Sequence, residues 1–313
     1  MKILHLDKNH DSLINELKSH GYINVEAYKM TLANVKSIIH QFDGIVIRSR
    51  FKIDTDFLKN GKRIKFVARV GSGLENIDIQ YLKKRGIELI SAPEGNSNAV
   101  GEHAVCLILS LLNKLNLAND SVKNKLWIRE EFRGYEIENK IIGIIGYGNT
   151  GKSLAKKLTG FNVKEIIFYD VIKKTKDSIA RQVSIDELQK KTNILSIHTP
   201  QNKLSIGMIN KDFIEKMKNP FWLINTGRGS AVNTEDLIDG IQNKKILGAG
   251  LDVLEYEKKT FENTFDNKIH QNFLDLIENE KVILTPHIAG WTHESHLKLA
   301  KVIVQKIQKD FPL

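Results

Sequence analysis

Between residues 2 and 90, short runs rich in β-branched side chains alternate with amphipathic stretches, and after a long helical interval the alternation begins again at Ile141. The first set of apolar runs covers 2–6, 25–28, 43–48, 65–70 and 87–90. The second covers 141–145, 165–169, 194–197, 221–224, 247–251 and 282–284. Strand and helix signals that alternate in this way predict βαβ units, in which each crossover helix lays the next strand parallel to the last. Two such sets predict two sheets, and six strands in the second suit a dinucleotide-binding fold.

A chain of 313 residues exceeds one average domain and falls short of three, so two cores are expected, with a cleft between lobes. The predicted architecture is α/β: two Rossmann-like domains with parallel sheets, the first flavodoxin-like. A helix over about 98–119 separates the sets. The last helix, 292–309, is expected to cross back to the first lobe and make it discontinuous. The expected boundaries are 1–96 with 290–313 for a substrate-binding domain and 97–289 for a dinucleotide-binding domain.

Hydrophobic residues make up 41% and charged residues 27%, which excludes a disordered chain. The longest apolar run, 104–112, is far shorter than the ~20 residues a bilayer requires. Met1 leads directly into a strand pattern with no export signal, so the cytoplasm is expected and no membrane partner. The one cysteine, Cys106, reads as a small buried hydrophobe. The net charge of +10 is spread over the surface, as in Lys173, Lys174, Lys244 and Lys245, which does not form a nucleic-acid stripe. It favours encounter with small anions.

Gly146, Gly148 and Gly151 follow an apolar strand and open an apolar-striped helix. The first glycine permits a tight turn, the second lets a pyrophosphate approach the backbone, and the third brings helix and strand together. The amides of Asn149 and Thr150 then face the phosphates at the positive end of the helix. Asp170 ends the second strand of this set, where a carboxylate accepts hydrogen bonds from ribose hydroxyls and repels a 2′-phosphate. NAD is therefore favoured over NADP, with Lys173 and Lys174 close behind as the opposing feature.

Ligands of open α/β sheets bind beyond the carboxyl ends of the strands. The residues there are Asp170, His198, Thr199, Thr226, Gly227, Arg228, Asp252 and His287. Hydride transfer at a hydroxyl-bearing carbon needs a proton acceptor, a cation for the substrate carboxylate and a nicotinamide beside them. His287 is of the side-chain type that can serve as acid and base in turn. Glu257 is the expected carboxylate partner that fixes its tautomer, with Glu255 two residues earlier as the competing choice. Arg228 matches a carboxylate with its planar fork. Asp252 is placed to accept from the nicotinamide carboxamide. His103 is expected to be a packing or interface residue, and His5, His10, His20 and His40 surface or loop residues. No cluster has the spacing of metal ligands.

Taken together these motifs resemble the D-isomer-specific 2-hydroxyacid dehydrogenases over nearly the whole chain. The resemblance rests on residues 144–151, 225–229, 248–253 and 285–290. It implies Arg228, Glu257 and His287 as the catalytic set, with Ser72, Thr199, Thr226, Gly227 and Gly290 touching NAD. It further implies that Gly71, Ser72 and Gly73 offer backbone amides to the substrate carboxylate. Residues 47–50 are similar to a segment of the branch acting on D-3-phosphoglycerate, which suggests Arg48 and Arg50 as holders of a substrate phosphate. Arg129, beside Trp127, lies where such enzymes carry a basic group donated by a neighbouring subunit, or else forms a surface ion pair.

Lys258 stands where the family has proline after its glutamate, and the stretch from Glu257 to His287 is longer than usual. Its Phe261, Phe265 and Phe273 suggest a hydrophobic flap. The stripe of Val100, Ala104, Leu107, Leu111 and Leu115 suggests a homodimer contact. No regulatory domain is expected after Leu313. Two alternatives stay open: a reductase of hydroxypyruvate, glyoxylate or another 2-keto acid, and a NAD-sensing binding module of the corepressor type.

Overall fold

The computed structural model describes residues 1–172, 177–257 and 271–313, which divide into two compact units. The first contains Met1–Asn96 and Trp291–Leu313; the second contains Ser97–Glu257 and 271–290.

In the first unit β1 (Lys2–His5), β2 (Ile23–Glu26), β3 (Gly44–Ile47), β4 (Phe66–Arg69) and β5 (Glu88–Ser91) form one sheet. The order is β2-β1-β3-β4-β5 and every pairing is parallel, the flavodoxin-like arrangement. β3 is buried throughout, as a central parallel strand covered on both faces must be. One face packs against the C-terminal helix His293–Asp310, whose Ala300, Ile303, Val304 and Ile307 meet Ile3, Phe66, Ala68 and Ile90. Thr292 caps that helix in a reciprocal capping box with Ser295.

His5 departs from expectation. It ends β1 fully buried, with Nε2 2.8 Å from Asn24 Oδ1, and burial pushes its pKa down to about 4. The strand pairing that seats His5 beside β2 is a non-local event that its own neighbours in sequence do not report. His10 caps the helix Asp11–Ser19, whereas His20 and His40 are exposed.

Among its described residues the second unit has seven parallel strands where six were expected: β6 (Ile141–Ile145), β7 (Glu165–Tyr169), β8 (Arg181–Gln182), β9 (Ile194–Ile197), β10 (Phe221–Asn225), β11 (Ile246–Leu251) and β12 (Val282–Leu284). Their order is β12-β11-β10-β9-β6-β7-β8. The chain runs outward from β6 to β8, then returns to lay β9 on the other side of β6. That reversal makes β6 and β9 a topological switch point, with ligand space beyond their carboxyl ends. Two apolar layers cover the sheet, one around Leu195, Leu223 and Leu251, the other around Ile142, Ile144, Phe168 and Ile224.

The expected long helix is broken. Ser97–Leu112 ends where Lys114 enters the left-handed region at φ 51°, and a second helix, Leu115–Lys123, begins. The amide of Tyr135 takes up the Leu112 carbonyl at 2.9 Å, which satisfies an end group the helix leaves open. Most of the apolar stripe is also not spare surface, although Leu115 is exposed. Val100, Ala104 and Leu107 are buried within this chain, and Leu107 and Leu111 press against Gly250. Cys106 is exposed rather than buried, because Ala104, Leu107 and Ile108 are the residues this helix turns inward.

Phe273 is buried with Leu276 on the helix Gln271–Glu278; Phe261, Phe265 and Lys258, in the stretch expected to form a flap, lie outside the described residues. Among the described residues no helix is long and apolar enough to cross a membrane, and no cluster could hold a metal ion.

Candidate active site

The turn after β6 shows three different requirements at its three glycines. Gly146 has φ +88°, and a Cβ there would lie 2.8 Å from the His198 carbonyl oxygen. At Gly151 a Cβ would lie 2.3 Å from the Gly146 carbonyl oxygen. At Gly148, among the described residues, nothing lies within 4 Å of where a Cβ would stand. Gly148 is also the N-cap of the helix Asn149–Leu158 and offers it no side-chain acceptor, so the first-turn amides, those of Asn149 and Thr150 among them, are left to an external partner. Close by, across the switch point, Thr199 Oγ1 is buried with no hydrogen-bond partner among the described residues. An open cradle, outward-facing amides and an orphaned hydroxyl fit the pyrophosphate and nicotinamide portions of NAD.

Asp170, one residue past the end of β7, accepts the Tyr147 amide on Oδ2 at 2.7 Å and the Ile172 amide on Oδ1 at 2.9 Å. It thus ties the glycine turn to its own. Gln182 on β8 holds the same turn from outside, donating to the carbonyls of Asp170 at 3.2 Å and Ile172 at 2.8 Å. Sequence reasoning missed β8, whose two residues carry no periodic signal. Lys173 and Lys174 lie outside the described residues.

β10 ends in a buried asparagine. Asn225 Oδ1 accepts the Gly227 amide at 3.1 Å, and its Nδ2 donates to the Arg228 carbonyl at 3.0 Å. This closes the tight turn 226–228 from inside, and Gly227 fits because a Cβ there would crowd the Thr199 backbone at 3.0 Å. Arg228 is partly exposed beyond the turn, with Nη1 donating to the Gly227 carbonyl at 2.7 Å. Beneath it His198 bridges Ser196 Oγ at 2.8 Å and Thr226 Oγ1 at 3.3 Å. Burial pushes His198 down to about 4, so it is neutral near pH 7 and serves to brace the turn.

Beyond β11 and β12 the chain brings His287 and Glu257 together, with Nδ1 2.7 Å from Glu257 Oε2. A carboxylate only accepts, so Nδ1 carries the proton and Nε2 is left as the imidazole's accepting atom. The other Glu257 oxygen accepts the Leu254 amide at 2.5 Å, which fixes the carboxylate's plane. His287 has φ +56°, a strained value for a residue with a Cβ. Its amide donates to the Asp252 carbonyl at 2.8 Å, and the Asp252 carboxylate accepts Ile288 N and Ala289 N, each at 2.8 Å, and Thr285 Oγ1 at 2.6 Å. Asp252, 1% exposed, is therefore the brace of the histidine turn, whatever else it touches.

Glu255 has a separate task. Its Oε2 accepts the Thr234 amide at 2.9 Å at the start of the helix Thr234–Gln242. Geometry thus separates two carboxylates that spacing alone could not. Gly290 directly follows the braced turn.

The first unit holds the remaining candidates at the carboxyl ends of its strands. Arg48, after β3, lies with its guanidinium 4.3 Å from the Trp291 ring centre. Arg50 is committed to backbone: it donates to the carbonyls of Leu6 at 3.1 Å, Ala27 at 2.9 Å and Met30 at 2.6 Å. Gly71 (φ +148°), exposed Ser72 and buried Gly73 form the turn after β4. Arg129 is exposed at the end of the Trp127 segment.

Residues 105–289 match the family model described as D-isomer specific 2-hydroxyacid dehydrogenase, NAD binding domain. The hydroxypyruvate reductase of Thermotoga maritima is 34% identical over 273 residues, 87% of this chain and 86% of that protein. The D-3-phosphoglycerate dehydrogenase of Archaeoglobus fulgidus is 32% identical over 311 residues, 98% of this chain, which spans only 56% of that longer protein. Among solved structures, the D-lactate dehydrogenase of Aquifex aeolicus, in complex with NAD and lactic acid, aligns with a TM-score of 0.83 at 27% identity, covering 100% of this chain and 96% of that one.

Proposed function

The chain belongs to the D-isomer specific 2-hydroxyacid dehydrogenase family, and from that premise we propose that it transfers a hydride between NAD and C2 of D-3-phosphoglycerate, yielding 3-phosphohydroxypyruvate. Membership makes it an NAD-dependent oxidoreductase acting on the CH–OH group of 2-hydroxy acids. The observation that carries the proposal is the Glu257–His287 pair, which leaves Nε2 as a proton acceptor of fixed tautomer.

NAD, when bound, supplies the two-electron acceptor for the C2 hydrogen. His287 Nε2 takes the hydroxyl proton, so both hydrogens lost by the substrate have a destination. Glu257 then faces an imidazolium across the same contact and stabilises the charge that the proton brings. Arg228 pairs with the substrate carboxylate and polarises the carbonyl as it forms. Gly146, Gly148, Asn149, Thr150 and Gly151 would hold the pyrophosphate and Asp170 the adenosine ribose. Thr199, Thr226, Gly227 and Gly290 are assigned to the nicotinamide half. Gly71, Ser72 and Gly73 are assigned to the substrate carboxylate, and Arg48 to the phosphate.

A second reading, reduction of an unphosphorylated 2-keto acid such as hydroxypyruvate or glyoxylate, is favoured by one observation: Arg50 already serves three carbonyls. Oxidation of NADH measured against phosphohydroxypyruvate, hydroxypyruvate and glyoxylate decides between them. A higher kcat/KM for phosphohydroxypyruvate, lost in Arg48→Ala, supports the first. Preference for an unphosphorylated acid supports the second, and turnover of none leaves a NAD-binding module. In the first reading the enzyme works in the cytoplasm, in serine biosynthesis, without nucleic-acid or membrane partners. It acts as a homodimer, for which the exposed run of Leu115 (57%), Val122 (53%), Leu126 (51%) and Trp127 (79%) is the support.

A further inference from the structure

We propose that His103, on the helix Ser97–Leu112, is a positioning residue for His287, acting through Thr285 and Asp252; the inference rests on the reading of His287 as the proton acceptor. His103 Nε2 lies 3.0 Å from Thr285 Oγ1 and 3.6 Å from Asp252 Oδ1. Thr285 Oγ1 in turn lies 2.6 Å from Asp252 Oδ1. A carboxylate cannot donate, so the hydroxyl proton of Thr285 points at Asp252. The remaining contact on that hydroxyl is then a hydrogen bond only if His103 Nε2 carries a proton. The geometry thus assigns His103 the Nε2–H form and gives the chain one direction: imidazole to hydroxyl, hydroxyl to carboxylate.

The carboxylate at the end of this chain receives the amides of Ile288 and Ala289, the two residues that follow His287. The His287 amide itself goes to the Asp252 carbonyl. Turning Asp252 about its side-chain bonds would release both following amides at once, and the left-handed backbone at His287 persists only where its surroundings over-determine it. His103 fixes the rotamer of Thr285, Thr285 fixes the carboxylate, and the carboxylate fixes the turn that aims Nε2. A residue serving only to fill space would need no donor at this position. The His103 side chain is 18% exposed.

Two replacements separate the roles. His103→Leu keeps bulk and loses the donor; His103→Gln sets an amide donor near the place of Nε2. The expected result is a kcat about tenfold or more below wild type for the leucine variant, with KM for NADH within about twofold, and recovery to within about threefold in the glutamine variant. Nitrogen NMR of histidine-labelled protein gives a readout independent of turnover. His103 should show the Nε2–H tautomer, and His103→Leu should move the ring resonances of His287 while leaving those of His5 in place. If His103→Leu does not fold, Thr285→Val against Thr285→Ser asks the same question one link later. A wild-type kcat in the leucine variant, no recovery with glutamine, or an Nδ1–H tautomer at His103 overturns the proposal. Absence of turnover with every 2-keto acid would instead sink the dehydrogenase reading and leave the NMR result standing.

Discussion

Asn225 holds the Arg228 turn through its backbone: one amide group accepts from the Gly227 amide at 3.1 Å and donates to the Arg228 carbonyl at 3.0 Å. Both bonds are made by a side chain that is fully buried. Asn225→Asp keeps the acceptor and turns the donor into a second acceptor facing the Arg228 carbonyl. The expected outcome is a folded protein whose kcat/KM for its 2-keto acid falls by about 10²-fold while NADH affinity changes little, as stopped-flow binding and steady-state rates would show.

The Glu257–His287 pair makes a paired prediction. His287→Ala removes the proton acceptor and should lower kcat by about 10² or more with NADH binding nearly intact. Glu257→Gln should leave the ring in place but let its tautomer change, and so give a smaller loss in kcat. An unchanged rate in His287→Ala would take this residue out of the mechanism.

Gly148 and Gly151 should separate binding from folding. An alanine at 151 would drive its Cβ to within 2.3 Å of a backbone oxygen, so Gly151→Ala is expected to lower the melting temperature by several degrees or to prevent folding. Gly148→Ala meets no atom of the described residues, and should melt like the wild type while binding NADH at least about tenfold more weakly, measured by calorimetry.

Acid stability should carry the mark of two neutral histidines. His5 and His198 are each lowered from 6.5 to about 4 by burial, so the unfolded chain takes up protons that the folded chain refuses. Their contribution is complete above pH 6.5 and is lost as pH falls towards 4, at roughly 1.4 kcal/mol per unit for each group. Melting temperatures measured from pH 7 to pH 4 should fall, and His5→Gln should show a shallower decline than wild type. An identical slope in the variant would show that His5 does not titrate as its burial requires.

The parts of the fold that were legible in the sequence are those that obey a local rule. The strands 141–145, 165–169 and 194–197 coincide with apolar runs because strands buried on both faces tolerate little else. β8 was invisible because two residues cannot display a period. The break at Lys114 was invisible because apolar positions continue on both sides of it, and the amide that takes up the open Leu112 carbonyl belongs to Tyr135, far along the chain. In the site, the polar residues at the strand tips could be picked out one by one. The assignment of Glu255 to a helix start and Glu257 to the imidazole could not, since both depend on which way a turn folds back. Asn225 carried a faint signal, a polar residue closing an otherwise apolar strand.

The left-handed backbone at His287 means that any replacement there changes two quantities at once, the imidazole and the ease with which the main chain holds its bend. Alanine deletes the ring and keeps a conformation costing about 1 kcal/mol; glycine deletes the ring and relieves that cost. Comparing the two at equal chemistry would weigh how much conformational tension the protein stores to keep a proton acceptor aimed.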